Sequence, residues 1–135
     1  MWAGNSVGRV IEKAHESAIN AIHSAKTQDK LITGGNDGII HHWDKNFNKL
    51  FSLSIKDEKI GSQMPRVRAL CEKDGVLLIG TRGSEIIEVK NKNANVLIRG
   101  HFDGELWGLT PHANAKIYYT VGEDMVIKKI YIFQI

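Results

Sequence analysis

The chain has 135 residues, of which 42% are hydrophobic, 24% charged and 7% aromatic, which excludes a disordered, collagen-like or coiled-coil chain and predicts one domain. No apolar run approaches the roughly 18 residues of a membrane-spanning helix, and Met1 is followed by Trp2-Ala3-Gly4-Asn5 without the basic and apolar segments of a secretory leader, so neither membrane nor secretion is expected. The net charge of +3 comes from 18 Lys and Arg against 15 Asp and Glu, scattered among acids in turn-like segments rather than gathered into the basic stripe that nucleic-acid binding requires.

Taken in chain order, apolar runs of four to seven residues recur, rich in Ile, Val, Leu, Phe and Tyr and bounded by Gly, Asn, Asp or Lys. That is the pattern of short strands. Expected strands cover 7–13, 18–23, 30–34, 39–43, 49–55, 67–72, 76–81, 85–89, 96–99, 106–110, 117–121 and the stretch from Val126 onward. The segment 14–24 has partial helical spacing through Ala14, Ala18, Ala21, Ile22 and Ala25. Its counterpart Leu106-Trp107-Gly108-Leu109-Thr110-Pro111 carries Gly and Pro, which a helix interior resists, so both are read as strands. Asn36-Asp37-Gly38 and Asp74-Gly75 supply the positive backbone angles of tight antiparallel hairpins. The gap 56–66, with Gly61 and Pro65, reads as a loop.

An internal repeat organises these strands. Residues 31–40 align with 118–127, so that Thr33 falls on Thr120 and Asp37 on Asp124, both 87 residues apart, while His15 falls on His101, 86 residues away. A weaker copy at 78–87 begins 47 residues after the first and 40 before the last, and places Gly80 and Ser84 at the Thr and Asp positions. The mean period of about 43 residues matches the roughly 40 to 45 of a four-stranded propeller blade.

His15 ahead of a strand, followed by Thr33-Gly34-Gly35-Asn36-Asp37-Gly38-Ile39-Ile40-His41-His42-Trp43-Asp44, resembles a WD repeat. The resemblance implies an all-β fold of about three four-stranded antiparallel blades of a β-propeller, incomplete and not closed. It also implies a buried hydrogen-bond chain through His15, Thr33, Asp37 and Trp43, since buried polar groups are costly unless mutually satisfied. His101, Thr120 and Asp124 repeat three of those positions in the last blade, where Ile130 and Tyr131 stand in place of Trp-Asp. Trp2 would be the corresponding Trp of a preceding blade. The expected organisation is 1–13 as the end of that blade with its outer strand, 14–55 as a blade, 66–100 as an atypical blade and 101–135 as an incomplete one with a divergent C-terminus.

The runs Val67-Arg68-Ala69-Leu70, 77–89 and Gly100-His101-Phe102-Asp103-Gly104-Glu105-Leu106-Trp107-Gly108-Leu109 are further similar to the echinoderm microtubule-associated protein-like family, with similarity spanning about residues 2–129. That resemblance implies tubulin or microtubules as partner and a cytoplasmic, cytoskeleton-associated protein, although the oligomerising coiled coil and further blades of full members do not occur in this sequence. Loop positions that would present a partner-binding surface are Glu16, Asn36, Arg66, Arg82, Phe102 and Glu123, each also readable as an ordinary solvated residue. The alternatives are a WD-repeat interaction module of another complex, or a truncated fragment without function; an enzyme built on a propeller has only fold analogy behind it, and no catalytic residue is assigned.

The remaining chemistry is sparse. Of the six histidines, His41 and His42 are adjacent on a strand and point to opposite faces, so no metal site and no cofactor is expected. Gly80-Thr81-Arg82-Gly83-Ser84 has the glycines of a phosphate cradle but lacks the Gly-Lys-Ser/Thr ending and the following helix. Asp37 and Asp124 lie on turns of different blades, too far apart in the repeat for a carboxylate pair. Cys71 reads as a small core residue; as the single cysteine it forms no internal disulfide, in keeping with a reducing compartment. The apolar run 131–135 departs from the repeat and invites pairing of open edges with further blades or with a second copy of the chain.

Overall fold

The computed structural model describes residues 6, 8–25, 29–99, 106–112, 117–122 and 125–131. Within them the chain forms eleven strands: β1 (Ile19–Ala25), β2 (Lys30–Gly35), β3 (Ile39–Trp43), β4 (Lys49–Ser54), β5 (Val67–Lys73), β6 (Val76–Thr81), β7 (Glu85–Lys90), β8 (Asn93–Arg99), β9 (Leu106–Pro111), β10 (Ile117–Gly122) and β11 (Ile127–Tyr131). No helix occurs among the described residues. The strands form three antiparallel meanders, β1 to β4, β5 to β8 and β9 to β11, each paired in chain order. These are blades of a β-propeller, and β5 lies against β1 and β2 on one side and against β9 on the other. The three sheets make an open arc, not a closed ring.

The central sheet shows why some strands read as continuous apolar runs. All six residues of β6 are buried. Leu77 and Ile79, with Ile87 and Val89 of β7, pack against Ile32 and Ile40 of the first sheet. Val76 and Leu78, with Ile86, face Tyr118 and Ile130 of the third. A strand covered on both faces has no polar side, and each such Ile or Leu contributes about 1.5–3 kcal/mol by leaving water. The outermost strand β4 instead alternates between exposed and half-buried residues.

Two backbone devices repeat in every blade. The first strand carries a bulge, between Ile19 and Ala21 in β1 and between Val67 and Ala69 in β5; in the third sheet the same break separates Leu106 and Gly108 opposite Gly122 and Val121. The second is the hairpin turn between the second and third strands. Gly38 donates to the Gly35 carbonyl at 3.1 Å, Ser84 to Thr81 at 3.1 Å and Met125 to Gly122 at 3.2 Å, and the three donors have φ of 71°, 61° and 62°. This is a tight turn closed by a left-handed residue.

These devices fix the repeat register and correct the sequence alignment of the middle blade. Gly35, Thr81 and Gly122 each pair with the first residue of the neighbouring strand, Ile19, Val67 and Leu106. The blade offsets are therefore 46 and 41 residues rather than 47 and 40. Ile79, not Gly80, sits where Thr33 does, and Gly83, not Ser84, where Asp37 does. The loss of the Thr and Asp side chains leaves the sequence no anchor against a one-residue slip.

Two strand expectations also change. Residues 8–13 carry no strand and find no ladder partner among the described residues; Arg9 instead donates to the Asn46 carbonyl, and Lys13 turns the chain with φ of 54°. Strand β8 begins at Asn93 rather than Val96, because Asn91 and Lys92 both take positive φ, 51° and 65°, and close a two-residue hairpin in which Lys90 pairs with Asn93. The 56–66 stretch is a loop as expected, its turn held by Lys59 N–H on Asp57 Oδ1 at 2.9 Å.

Candidate functional site

The turn that ends β2 is locked by a chain of four side chains. The Trp43 indole donates to Thr33 Oγ1 at 3.0 Å, Thr33 lies 2.8 Å from His15 Nε2, and His15 Nδ1 lies 3.0 and 3.2 Å from the two Asp37 oxygens. With Asp37 ionised, the bonds assign the proton to Nδ1, so Thr33 donates to Nε2 and each group is satisfied once. Asp37 Oδ2 also accepts from Glu16 N–H and Oδ1 from Ile39 N–H, both at 3.1 Å. Burial alone would raise the Asp37 pKa; the two backbone donors and the His15 ring outweigh it and hold the carboxyl below the usual value. Gly35 makes room for this lock, since a Cβ there would lie 3.0 Å from Asp37 Oδ1 and 3.2 Å from His15 Nδ1.

Next to the chain, the His41 ring centroid lies 4.5 Å from that of His15 and 5.5 Å from that of Trp43, and His41 Nδ1 bonds Ser52 Oγ at 2.6 Å. Burial, Lys49 and His15 all depress the His41 pKa. Asp44, after Trp43, accepts from the Asn46 and Asn48 backbone at 2.8 and 2.9 Å and closes the turn into β4.

The middle blade builds a different lock at the same place. Glu85, 1% exposed, accepts from Ser62 Oγ at 2.5 Å, Thr81 Oγ1 at 3.0 Å and Gln63 N–H at 3.2 Å, and its own N–H donates to Thr81 Oγ1 at 3.2 Å. Thr81 occupies the register position of Gly35 and Glu85 that of Ile39. A carboxylate one methylene longer and two positions later thus fixes the 56–66 loop as Asp37 fixes the segment around His15. Sequence reasoning missed Ser62, Thr81 and Glu85; the buried polar run Thr81, Ser84, Glu85 at the end of an apolar strand was the available signal. In the third blade Thr120 is fully buried at the register position of Thr33. His101, Asp124 and Trp2 lie outside the described residues.

The rim above these locks carries polar groups from two blades. Asn36 Oδ1 accepts from Asn20 Nδ2 at 2.7 Å and from Arg68 Nη1 at 2.5 Å, and Asn20 reaches the Val67 carbonyl at 3.2 Å. Asn20 and Arg68 are the bulged residues of β1 and β5, and a bulge re-aims its side chain; Trp107 holds that register position in β9. Glu16 and Arg66 are exposed and Asn36 and Arg82 half-buried, with Asn36 N–H on the Ala18 carbonyl and Arg82 N–H on the Arg66 carbonyl, each at 2.9 Å. The structure thus sets Asn36, Arg66 and Arg82 along one rim, to which it adds Asn20 and Arg68. Phe102 and Glu123 lie outside the described residues.

Among the described residues of this rim, none is arranged as a nucleophile with its base. Cys71 is buried and its thiol is pushed up to about 12 by desolvation. Among the described residues no three His, Cys, Asp or Glu side chains gather as a metal site.

Comparison with known proteins places this geometry. The model of the WD domain, G-beta repeat family matches residues 6–44. The chain is 30% identical over 122 residues to Echinoderm microtubule-associated protein-like 1 of Mus musculus, covering 89% of this chain and 14% of that protein. It is 25% identical over 126 residues to Echinoderm microtubule-associated protein-like 2 of the same species, covering 92% and 18%. It therefore spans under a fifth of the length of these relatives. The solved WD40 repeats of RRP9 superpose with a TM-score of 0.71 at 18% identity over 86% of this chain and 36% of theirs; for U3-55K the values are 0.72, 15%, 90% and 41%. The chain thus carries a WD domain, G-beta repeat match over residues 6–44, folds as blades of a β-propeller, and is similar over most of its length to the echinoderm microtubule-associated protein-like proteins.

Proposed function

We propose that the chain is a non-catalytic protein-binding scaffold that associates with microtubules, in the cytoplasm and on the cytoskeleton. The observation that carries this reading is the similarity over 122 residues to a relative named for microtubule association. The rim agrees with it: loops held by buried locks present Glu16, Asn20, Asn36, Arg66, Arg68 and Arg82 on a rigid frame, as a binding surface requires. The blade boundaries that go with this reading are 14–55, 66–100 and 101–135, with 1–13 belonging to a preceding blade, and His101 and Asp124 completing a third lock around Thr120.

Co-sedimentation of the chain with polymerised tubulin over a salt series tests it. Binding at low salt that weakens with ionic strength is expected, with loss of several-fold in affinity for the Arg66→Ala, Arg68→Ala, Arg82→Ala triple variant. Absence of the chain from the pellet even at low salt would remove the microtubule partner.

A further inference from the structure

At the edge of the sheets opposite the Gly38 and Ser84 turns, a cavity of about 270 Å³ opens between the first and second blades. Its apolar walls are Leu50 and Phe51 of β4, Leu77 of β6 and Val89 of β7, and its charged groups are Lys30, Lys92 and Glu72. This combination of an apolar body with a few convergent polar groups is what ligand sites share, and the volume, just under the usual 300–1,000 Å³, suits one large side chain with a small head group. Neither lysine is ion-paired among the described residues; Lys92 Nζ rests 5.3 Å from the Phe51 ring centroid.

His42 and Asn91 complete the polar lining. The His42 ring faces that of Phe51, 5.2 Å away, and it makes no hydrogen bond to a described residue. Since no buried side-chain nitrogen or oxygen is left without a partner, the polar edge of His42 opens to the cavity rather than into the core. Desolvation and Lys30 depress its pKa to about 4, so at neutral pH it is an uncharged donor and acceptor.

The charges choose the ligand. Two lysines against Glu72 leave one positive charge in excess, which suits a carboxylate rather than a phosphate dianion. Cations and apolar walls share a space of one residue's size. An internal Asp or Glu offers no large apolar group with its carboxylate, whereas the last residue of a polypeptide offers both. We propose that this cavity binds the C-terminal carboxylate of a peptide ending in an aliphatic or aromatic residue, Lys30 and Lys92 taking the carboxylate and Leu50, Phe51, Leu77 and Val89 the side chain. The site is on the edge away from the rim and does not depend on the microtubule reading.

The test is an NMR titration of the full chain with N-acetyl-leucine, N-acetyl-leucinamide and inorganic phosphate, read at the His42 and Phe51 rings. N-acetyl-leucine is expected to shift both rings with a Kd of about 1 mM and to bind at least 5-fold more tightly than the amide or phosphate. The Lys30→Ala, Lys92→Ala variant should weaken it about 10-fold while the ring signals of the free protein show the fold intact. Equal binding of acid and amide, tighter binding of phosphate, unchanged affinity in the lysine variant, or no shift of His42 and Phe51 would each overturn the proposal.

Discussion

Replacing Glu85 with alanine removes the acceptor on which the middle blade's lock converges. Ser62 is half-buried and can turn to water, but Thr81 Oγ1 is fully buried and the Gln63 N–H points at Glu85 Oε2 at 3.2 Å. Gln63 is exposed and its N–H can turn to water, so the loss expected from the one buried donor, Thr81 Oγ1, and the vacated space is about 2–4 kcal/mol. A domain has only about 5–15 kcal/mol to lose. Glu85→Gln keeps one oxygen but turns an NH2 toward a donor, and about 1–2 kcal/mol is expected; Thr81→Val should cost about 1–1.5 kcal/mol. Urea denaturation of the three single variants and of the Glu85→Ala, Thr81→Val double variant completes the measurement. A coupling energy of about 1–2 kcal/mol is expected between the two sites. A loss below about 0.5 kcal/mol for Glu85→Ala, or full additivity in the double variant, would show that the carboxylate does not hold the loop.

Further variants probe the first blade. Thr33→Val breaks bonds to both His15 and Trp43 and should cost about 2–3 kcal/mol, against about 1 kcal/mol for Trp43→Phe, which leaves Thr33 and His15 joined; denaturation midpoints at constant slope decide it. Gly34→Ala places a Cβ 2.5 Å from Val67 Cγ1, wedges the first two sheets apart and should lower stability by about 1–3 kcal/mol in the same assay. The pH profile of the melting temperature should fall in two steps. His42 is depressed to about 4 from an ordinary 6.5, so the unfolded chain binds the extra proton and stability drops as pH falls from about 6.5 to about 4. His41, also depressed, adds to that limb. The Asp37 contribution is present above the ordinary carboxylate value of 3.8 and is lost only as pH falls further, through its folded pKa. His42→Phe should flatten the first step and Asp37→Asn the second; an unchanged profile in either variant would contradict the assignment.

Most strands were legible because each is a short apolar run between turn residues, and β3 and β6 begin and end where the pattern says. The first lock was equally legible, since His15, Thr33, Asp37 and Trp43 keep the side chains of a WD repeat. The middle lock was not. Glu85 performs through a longer side chain, from a strand position, what Asp37 does from a turn, and a motif read by residue type has no way to match them. Register resolves this because hydrogen-bond pairing counts backbone positions and ignores side chains. The start of β8 was missed for a related reason: Asn93-Ala94-Asn95 has loop composition, and the two left-handed residues before it decide the hairpin. Arg68 escaped notice because only the bulge turns it toward Asn36.

The left-handed residue of each turn has a consequence for exchanging parts between blades. Gly38 and Ser84 close their hairpins with the same left-handed conformation and the same hydrogen bond, so residues 81–85 grafted over 35–39 would fit the receiving backbone. The graft would still fail as a fastener. It would set a threonine Cβ against His15, where Gly35 leaves space, and bring a carboxylate suited to Ser62 in place of Asp37. Frame and fastener are separate inheritances in this chain: the first is interchangeable from blade to blade, and the second works only with the loop it was built to hold.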